Sequence, residues 1–207
     1  MYFKDRIDAA SQLIKRLEPY RRQDCVVLAI PRGGVPIGFQ VAREFDFPMD
    51  LLMVKKLGHP SSPEYAIGAV SMEGSILEDH LNVPQEYIQA EISRIRQRLK
   101  ERYEKFRGNK APLNLKGRVA IIVDDGIATG RTIIASIGML REQEVAKIVV
   151  AVPVSSIGAA QRIKEMVDDF ICLDTPEPFF GVGMFYEDFS EVSDAEVIDY
   201  LKTLDTI

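Results

Sequence analysis

The sequence predicts one α/β domain, spanning residues 1–207, with a parallel central sheet flanked by helices. Short apolar runs rich in Val and Ile alternate with amphipathic stretches, as strands and helices do in α/β proteins. The apolar runs show no polar alternation, which is typical of strands that are covered on both faces. Hydrophobic residues make up 46% and charged residues 28% of the 207 residues, which is the composition of a compact globular protein.

Five apolar runs are predicted to be central strands of the sheet, at residues 26–30, 51–54, 119–123, 148–152 and 170–173. Apolar residues at helical spacing predict helices at residues 7–17, 36–45, 85–106, 132–141, 157–167 and 193–201. The longest of these helices has a basic face. A solvated surface explains this face, and so does a contact with a second copy of the chain, and we expect a homodimer.

Two segments do not fit the alternation of strands and helices. Residues 57–64 (LGHPSSPE) contain one Gly, two Pro and two Ser, so we expect a mobile loop there. Residues 174–189 combine Pro and Gly with five aromatic side chains, which is too irregular for a helix and too aromatic for a plain linker.

Composition and charge exclude two classes of partner. The net charge at pH 7 is −5, whereas nucleic acids and acidic membranes are bound through an excess of Lys and Arg. No apolar run approaches the roughly 18 residues that a membrane helix needs, and charges occur throughout the first turns of the chain, unlike a signal peptide. We therefore expect a cytoplasmic protein that binds neither nucleic acid nor membrane.

The segment VAIIVDDGIATGRT, residues 119–132, carries the chemistry that the sequence predicts. A buried strand presents Asp124 and Asp125 at its carboxyl end, which is the edge where open α/β sheets bind ligands. The next loop offers backbone N–H groups and hydroxyl donors to an anion beside a helix N-terminus, through Gly126, Gly130, Thr129 and Thr132. Two carboxylates beside such a phosphate cradle are explained by a sugar diol, whose hydroxyls donate to carboxylate oxygens. The segment therefore predicts a ribose 5-phosphate site.

An alternative is that the two acids merely cap the following helix, as acids often do. One cap needs one acid, however, and a Gly and Thr loop separates both acids from the helix. The segment also lacks the patterns of a Walker loop and of a GxGxxG dinucleotide turn.

Residues 121–132 resemble the signature of the type I phosphoribosyltransferases, which bind 5-phosphoribosyl 1-diphosphate (PRPP). The resemblance extends in order along the chain. PRGG at 31–34 is similar to the family's first pyrophosphate loop, residues 55–70 to its flexible catalytic loop, and residues 179–189 to the hood of the hypoxanthine-guanine branch. It implies the type I phosphoribosyltransferase fold, with a flexible loop and a C-terminal hood formed by about residues 174–189 and the terminal segments.

The resemblance also implies a reaction, the Mg²⁺-dependent transfer of the phosphoribosyl group to a nitrogenous, nucleobase-type acceptor with release of pyrophosphate. The candidate catalytic cations are Arg32, Lys55 and Lys56, because the leaving pyrophosphate gathers negative charge. The expected PRPP-binding residues are Gly33, Gly34, Asp124, Asp125, Gly126, Ile127, Ala128, Thr129, Gly130, Arg131 and Thr132. The acceptor base is expected against Phe180, Val182 and Phe185. The candidate Mg²⁺ contacts, made through water or ligand, are Asp124, Asp125 and Glu187.

Two positions depart from the family pattern. Gly126 stands where most members carry a bulky aliphatic side chain, and Ala128 stands where the hypoxanthine-guanine enzymes carry an Asp that handles a proton on the purine. We therefore expect poor activity with hypoxanthine and guanine, unless Glu187 or Asp188 supplies the carboxylate. Two other functions stay open, a sensor of PRPP or nucleotides without catalysis and a hydrolase that acts on a phosphosugar.

Overall fold

The computed structural model describes residues 2–77 and 82–206. Its strands are β1 (Cys25–Ala29), β2 (Met49–Leu51), β3 (Val54–His59), β4 (Ser62–Ser71), β5 (Ser75–Leu77), β6 (Val119–Val123), β7 (Lys147–Val154) and β8 (Asp169–Asp174). Its α-helices are α1 (Arg6–Leu17), α2 (Gly34–Phe45), α3 (Gln85–Arg107), α4 (Arg131–Glu142), α5 (Ile157–Lys164) and α6 (Asp194–Leu204). A short 3-10 helix, Val182–Phe185, lies between β8 and α6.

Five strands form a parallel sheet in the order β2-β1-β6-β7-β8, as the sequence predicts. Ala29, Val123 and Ala151 lie in register, so the carboxyl ends of the middle strands meet at one edge. Two of the five strands were wrongly predicted to be central, because β2 and β8 lie at the edges of the sheet. In addition, β2 ends at Leu51 and not at residue 54. An apolar run cannot distinguish the edge strand β8 from a central one, since α1 and α5 pack against it.

The helices cover both faces of this sheet. Along β6, Ile121 packs with α1, α2, α3 and α6, whereas Ile122 packs with α4 and α5 on the opposite face. The predicted helices are confirmed except at their ends, since α2 begins at Gly34 and α5 ends at Lys164. Within the described ranges, no helix combines the length and the apolar composition that crossing a membrane requires.

A second sheet, β3-β4-β5, is antiparallel and was not predicted. Most of the expected loop at 57–64 is a hairpin, in which β3 and β4 are joined at residues 60–61. The expectation of a loop instead of strands is therefore wrong, although the expected mobility of this segment stays a prediction. Leu57 and Ile67 are fully buried against the main core, so these two anchors hold the strands despite the Gly, Pro and Ser residues between them.

The region after β8 folds back over the carboxyl edge of the sheet. Phe3 pairs with Tyr186 in an isolated parallel bridge, and the N–H of Phe3 donates to the carbonyl of Phe185 at 2.8 Å. The rings of Phe3 and Tyr186 lie 5.3 Å apart, and the rings of Tyr186 and Phe189 lie 5.0 Å apart. The chain ends therefore form one aromatic layer, which explains the aromatic composition of residues 174–189.

Candidate active site at the carboxyl edge of the sheet

Asp124 and Asp125 follow β6 at the centre of this edge, where strand geometry fixes both carboxylates. The Oδ1 atom of Asp124 accepts from the N–H of Asp125 at 2.9 Å. Burial raises the pKa of Asp124 well above its usual range, and the adjacent Asp125 raises it further. Neither acid caps α4, because Gly130 is the N-cap residue and no side chain caps this helix. Two adjacent acids with so little exposure lower the stability of the fold, which favours a ligand-binding role for the pair.

Arg6 holds Asp125 from the first turn of α1. Its Nε and Nη2 atoms donate to the same carboxylate oxygen, Oδ2, at 3.0 and 2.8 Å. The guanidinium also donates from Nη1 to the carbonyl of Ser190 at 2.8 Å and lies 4.1 Å from the centre of the Phe189 ring. Burial raises the pKa of Asp125, and Arg6 opposes that rise. Arg6 therefore links α1, the acidic pair and the segment that follows the hood.

The PRGG turn lies directly against this pair. A side chain at Gly33 would collide with the carboxylate of Asp125, and a Cβ atom at Gly34 would lie 2.5 Å from the carbonyl oxygen of Val123. The peptide bond between Pro31 and Arg32 is cis. The two glycines therefore let the turn approach the end of β6, as the resemblance to a pyrophosphate loop leads one to expect.

Arg32, a candidate catalytic cation, pairs with acids near the C-terminus. Its Nη2 atom forms an ion pair with Glu191, and its Nη1 atom lies 3.5 Å from a carboxylate oxygen of Asp194. Residues 186–194, which we call the strap, are thus fastened at several points. Arg32 binds two of the strap's acids, Arg6 binds its Ser190 carbonyl, and the Tyr186 hydroxyl donates to the carbonyl of Asp125 at 2.6 Å.

The loop from Gly126 to Gly130 leads from the acids to α4. A Cβ atom at Gly126 would lie 2.5 Å from Val182 and 2.9 Å from Val154, so the absence of a bulky residue there lets the hood pack onto the loop. Gly130 has a φ of 70°, which glycine adopts without strain. Ala128 and Thr129 in the loop are exposed, and so are Arg131 and Thr132 at the start of α4. The loop therefore presents an open surface beside a helix N-terminus.

The three predicted base-binding residues differ in their surroundings. Val182 packs against Gly126, and the Phe185 ring packs against Phe179 with their centres 5.2 Å apart. Phe180, in contrast, is 78% exposed. Of the three, Phe180 thus has the most surface to offer to a ligand.

The remaining candidates lie on the second sheet and in the region after β8. Lys55 and Lys56 are on β3, opposite Val70 and Ala69 of β4. Glu187 is exposed, and its N–H donates to the carbonyl of Phe3 at 2.9 Å. In the part of the chain that the structure describes, no three His, Cys, Asp or Glu side chains gather into a metal-binding cluster. Glu187 is therefore not brought together with the two acids as a third ligand.

Sequence reasoning missed Arg6, Ser156 and Arg162, all of which contact the loop or the acids. Arg6 lies 119 positions before Asp125, and nothing local in the sequence signals their contact. Ser156 and Arg162 lie at the two ends of α5 and donate to carbonyl groups of the loop. The available signal for Ser156 was its place two residues after a buried strand and directly before a predicted helix, where serine is a frequent N-cap.

Comparison with known proteins agrees with this geometry. A family model described as "Phosphoribosyl transferase domain" matches residues 2–188. A Mycobacterium tuberculosis (strain CDC 1551 / Oshkosh) protein named "Putative phosphoribosyl transferase MT0597" is 40% identical over 204 residues, which cover 96% of this chain and 46% of that protein. The chain thus spans about half the length of this curated relative.

Solved structures show the same fold. The crystal structure of TT1426 from Thermus thermophilus is 36% identical, with a TM-score of 0.90 over 99% of both chains. A purine phosphoribosyltransferase from Pyrococcus horikoshii has a TM-score of 0.50 at 16% identity, over 91% of this chain and 93% of that one, which shows the fold alone. The parallel sheet flanked by helices is the type I phosphoribosyltransferase fold, and the chain belongs to the phosphoribosyl transferase domain family.

Proposed function

We propose that the protein is a Mg²⁺-dependent phosphoribosyltransferase that transfers the phosphoribosyl group of PRPP to a nitrogen atom of a nucleobase-type acceptor. The observation that carries this proposal is the largely buried pair Asp124 and Asp125 at the end of β6, followed by an open loop beside the N-terminus of α4. A sugar diol and a phosphate are the ligand groups that these two neighbouring features suit. PRPP carries both groups on one ribose.

The two parts of the site have separate tasks in this proposal. The acids accept hydrogen bonds from the ribose hydroxyls. The end of the loop and the start of α4, residues 128–132, hold the 5-phosphate with backbone N–H groups and hydroxyls. The raised pKa of Asp124 and the ion pair of Asp125 with Arg6 both lower the negative charge of the pair. This reduces the repulsion between the acids and the nearby phosphate.

The leaving group is bound by the turn at residues 31–34. When the bond between the anomeric carbon and the diphosphate oxygen breaks, its electron pair leaves with pyrophosphate. The acceptor nitrogen then bonds to that carbon and releases its proton to solvent. Arg32 and the backbone beside Gly33 stabilise the charge that builds on pyrophosphate. Because Arg32 is paired with Glu191, the pyrophosphate must displace this carboxylate. Lys55 and Lys56 are further candidates for stabilising the charge on pyrophosphate, because they lie on the hairpin that covers the ligand in this proposal.

The acidic pair fits a Mg²⁺ ion that is bound largely by its substrate. Mg²⁺ prefers oxygen ligands and is commonly held by one or two carboxylates together with substrate phosphates. Asp124 and Asp125 supply such oxygens, and in the described residues no third acid completes a protein cage. When bound, the ion would offset the charge of the pyrophosphate. Direct contact of Glu187 with this ion has no support in the geometry.

Turnover of PRPP tests the proposal. Pyrophosphate release is measured with PRPP, Mg²⁺ and a panel of purine and pyrimidine bases, for the wild-type chain and for Asp124→Asn. The proposal expects base-dependent release that the variant loses. Saturable PRPP binding without release for any base would identify a sensor instead. Release of phosphate without any base would identify a hydrolase.

A further inference from the structure

Two side chains of α5 donate to consecutive carbonyl groups of the loop. The Oγ atom of Ser156 donates to the carbonyl oxygen of Ala128 at 2.7 Å, and the Nη2 atom of Arg162 donates to that of Thr129 at 3.0 Å. The Nε atom of Arg162 also donates to the carbonyl of Gly158 at 3.1 Å, which fixes the guanidinium on its own helix. Both carbonyl groups therefore point towards α5.

The orientation of a carbonyl group determines that of the next N–H group. In a trans peptide the two groups point in opposite directions, and the cis peptide bonds found in the described residues are those before Arg32 and Pro178. Carbonyls of Ala128 and Thr129 that face α5 therefore turn the N–H groups of Thr129 and Gly130 away from α5. These N–H groups precede α4, whose first turn has no side-chain cap.

The helix that carries these donors packs closely against the loop. A Cβ atom at Gly130 would lie 2.9 Å from the side chain of Ile163 and 3.4 Å from that of Ala159. The loop is also held from the end of β7, since the N–H of Ile127 donates to Val154 at 2.8 Å and the N–H of Ser156 donates to Ile127 at 2.9 Å. The donors thus sit on a fixed support, and they set the peptide planes of the loop.

We propose that Ser156 and Arg162 are positioning residues that turn the N–H groups of Thr129 and Gly130 towards the 5-phosphate of the substrate. They act through the loop backbone and do not touch the reacting atoms. The positive charge of Arg162 beside the loop adds to the attraction for the phosphate. This inference rests on the proposed function, because it assumes that the loop binds the 5-phosphate of PRPP.

The test measures the binding of ribose 5-phosphate to the full chain. Calorimetry gives the affinity, and NMR records the amide signals of Thr129 and Gly130. Arg162→Met removes the donor and one charge, and Lys164→Met removes one charge from the same helix without a contact to the loop. We expect Arg162→Met to weaken ribose 5-phosphate binding about tenfold and to reduce the ligand-induced shift of both amides. Lys164→Met should change the affinity less than about twofold.

Ser156 needs a variant that preserves its second task, because its Oγ atom also accepts from the N–H of Ala159 as the N-cap of α5. Ser156→Asp keeps an N-cap acceptor but cannot donate to Ala128, and Ser156→Thr keeps both bonds. Ribose 5-phosphate binding should weaken in the first variant and be retained in the second. The affinity for Mg²⁺ and pyrophosphate without ribose should stay at the wild-type value in every variant.

The outcomes separate this inference from the proposed function. Wild-type affinity for ribose 5-phosphate in Arg162→Met and in Ser156→Asp would overturn the inference while leaving PRPP binding in place. Equal losses in Arg162→Met and Lys164→Met would overturn it too, since charge alone would then explain the effect. If the wild-type chain binds neither PRPP nor ribose 5-phosphate, the proposed function fails and this inference fails with it.

Discussion

Arg6 and Asp125 form an ion pair that joins the beginning of the chain to the end of its central strand. Both Nε and Nη2 of Arg6 donate to one oxygen of Asp125, at 3.0 and 2.8 Å, and the two side chains are only 11% and 14% exposed. The same guanidinium donates to the strap at Ser190. One arginine thus ties α1, the acidic pair and the strap together, so the site and the chain ends form one connected structure.

The first prediction concerns the stability that this pair provides. Arg6→Gln should lower the free energy of unfolding by about 1–3 kcal/mol, because it leaves a largely buried carboxylate without its cation. Arg16→Gln on the same helix, where the side chain is exposed, should change it by less than about 0.5 kcal/mol. Urea unfolding measures both values. Equal effects of the two substitutions would contradict this role of the ion pair.

The second prediction separates the two acids by the pH dependence of stability. Burial raises the pKa of Asp124, so the folded chain binds more protons than the unfolded chain above about pH 3.9, and stability falls as the pH rises through that window. Asp124→Asn removes this cost and can keep the acceptor for the Asp125 N–H. The variant should therefore melt at a higher temperature than the wild type at pH 7, and the gain should shrink towards pH 4.

Asp125→Asn is the matched comparison for this measurement. Burial raises the pKa of Asp125 as well, but this substitution also leaves the largely buried Arg6 without its partner, so it should destabilise the fold at pH 7 by about 1–3 kcal/mol. Melting curves at several pH values distinguish the two substitutions. A stabilising Asp125→Asn, or an Asp124→Asn that is destabilised equally at every pH, would refute the assignment of a costly Asp124 and a paired Asp125.

The third prediction concerns the contact between Arg32 and the strap. The Glu191 side chain is 77% exposed, so its ion pair with Arg32 contributes little to stability. The Glu191 carboxylate nevertheless competes with pyrophosphate for the guanidinium of Arg32. Glu191→Gln should therefore tighten the binding of Mg²⁺ and pyrophosphate about two- to fivefold. Glu165→Gln, an exposed acid at the end of α5, makes the same change in net charge. Calorimetry that shows weaker binding in Glu191→Gln, or equal gains in both variants, would contradict a competing carboxylate.

The fourth prediction concerns the acceptor. Ala128 is exposed in the loop and has a methyl group where the hypoxanthine-guanine enzymes carry an Asp, and Asp188 is engaged with Ser190 at 2.7 Å. A missing general acid–base group costs about two to four orders of magnitude in rate. We expect slow turnover of hypoxanthine and guanine, and a gain in rate for Ala128→Asp. Rapid wild-type turnover that survives Glu187→Gln and Asp188→Asn would show the prediction to be wrong.

The strands and the loop at the site could be predicted because their signals are local. The continuous apolar run of β6 ends in two acids, and the Gly and Thr residues that follow lead into α4 within a few positions. The sequence also showed Gly126 as a departure from the family pattern, but not the reason for it. The structure supplies its cause, since Val182 of the hood fills the space that a side chain at Gly126 would need.

The contacts that complete the site are not local, and so they could not be predicted. Arg6 meets Asp125 across 119 positions, and Arg32 meets Glu191 across 159 positions. Ionic contacts of this kind leave no periodicity in a single sequence. The antiparallel sheet was missed for a different reason. The Gly, Pro and Ser residues near the hairpin turn resemble a loop, whereas burial of Leu57 and Ile67 decides the structure.

Binding of PRPP is the most direct test of the central claim that Asp124 and the loop beyond it hold a phosphoribosyl group. PRPP with Mg²⁺ is titrated calorimetrically into the wild-type chain and into Asp124→Asn, with folding of both checked by thermal melting. We expect saturable binding at one site per chain in the wild type, weakened at least tenfold in the variant, whose fold persists. No binding to the wild type, or equal affinity of the two chains, would contradict the claim.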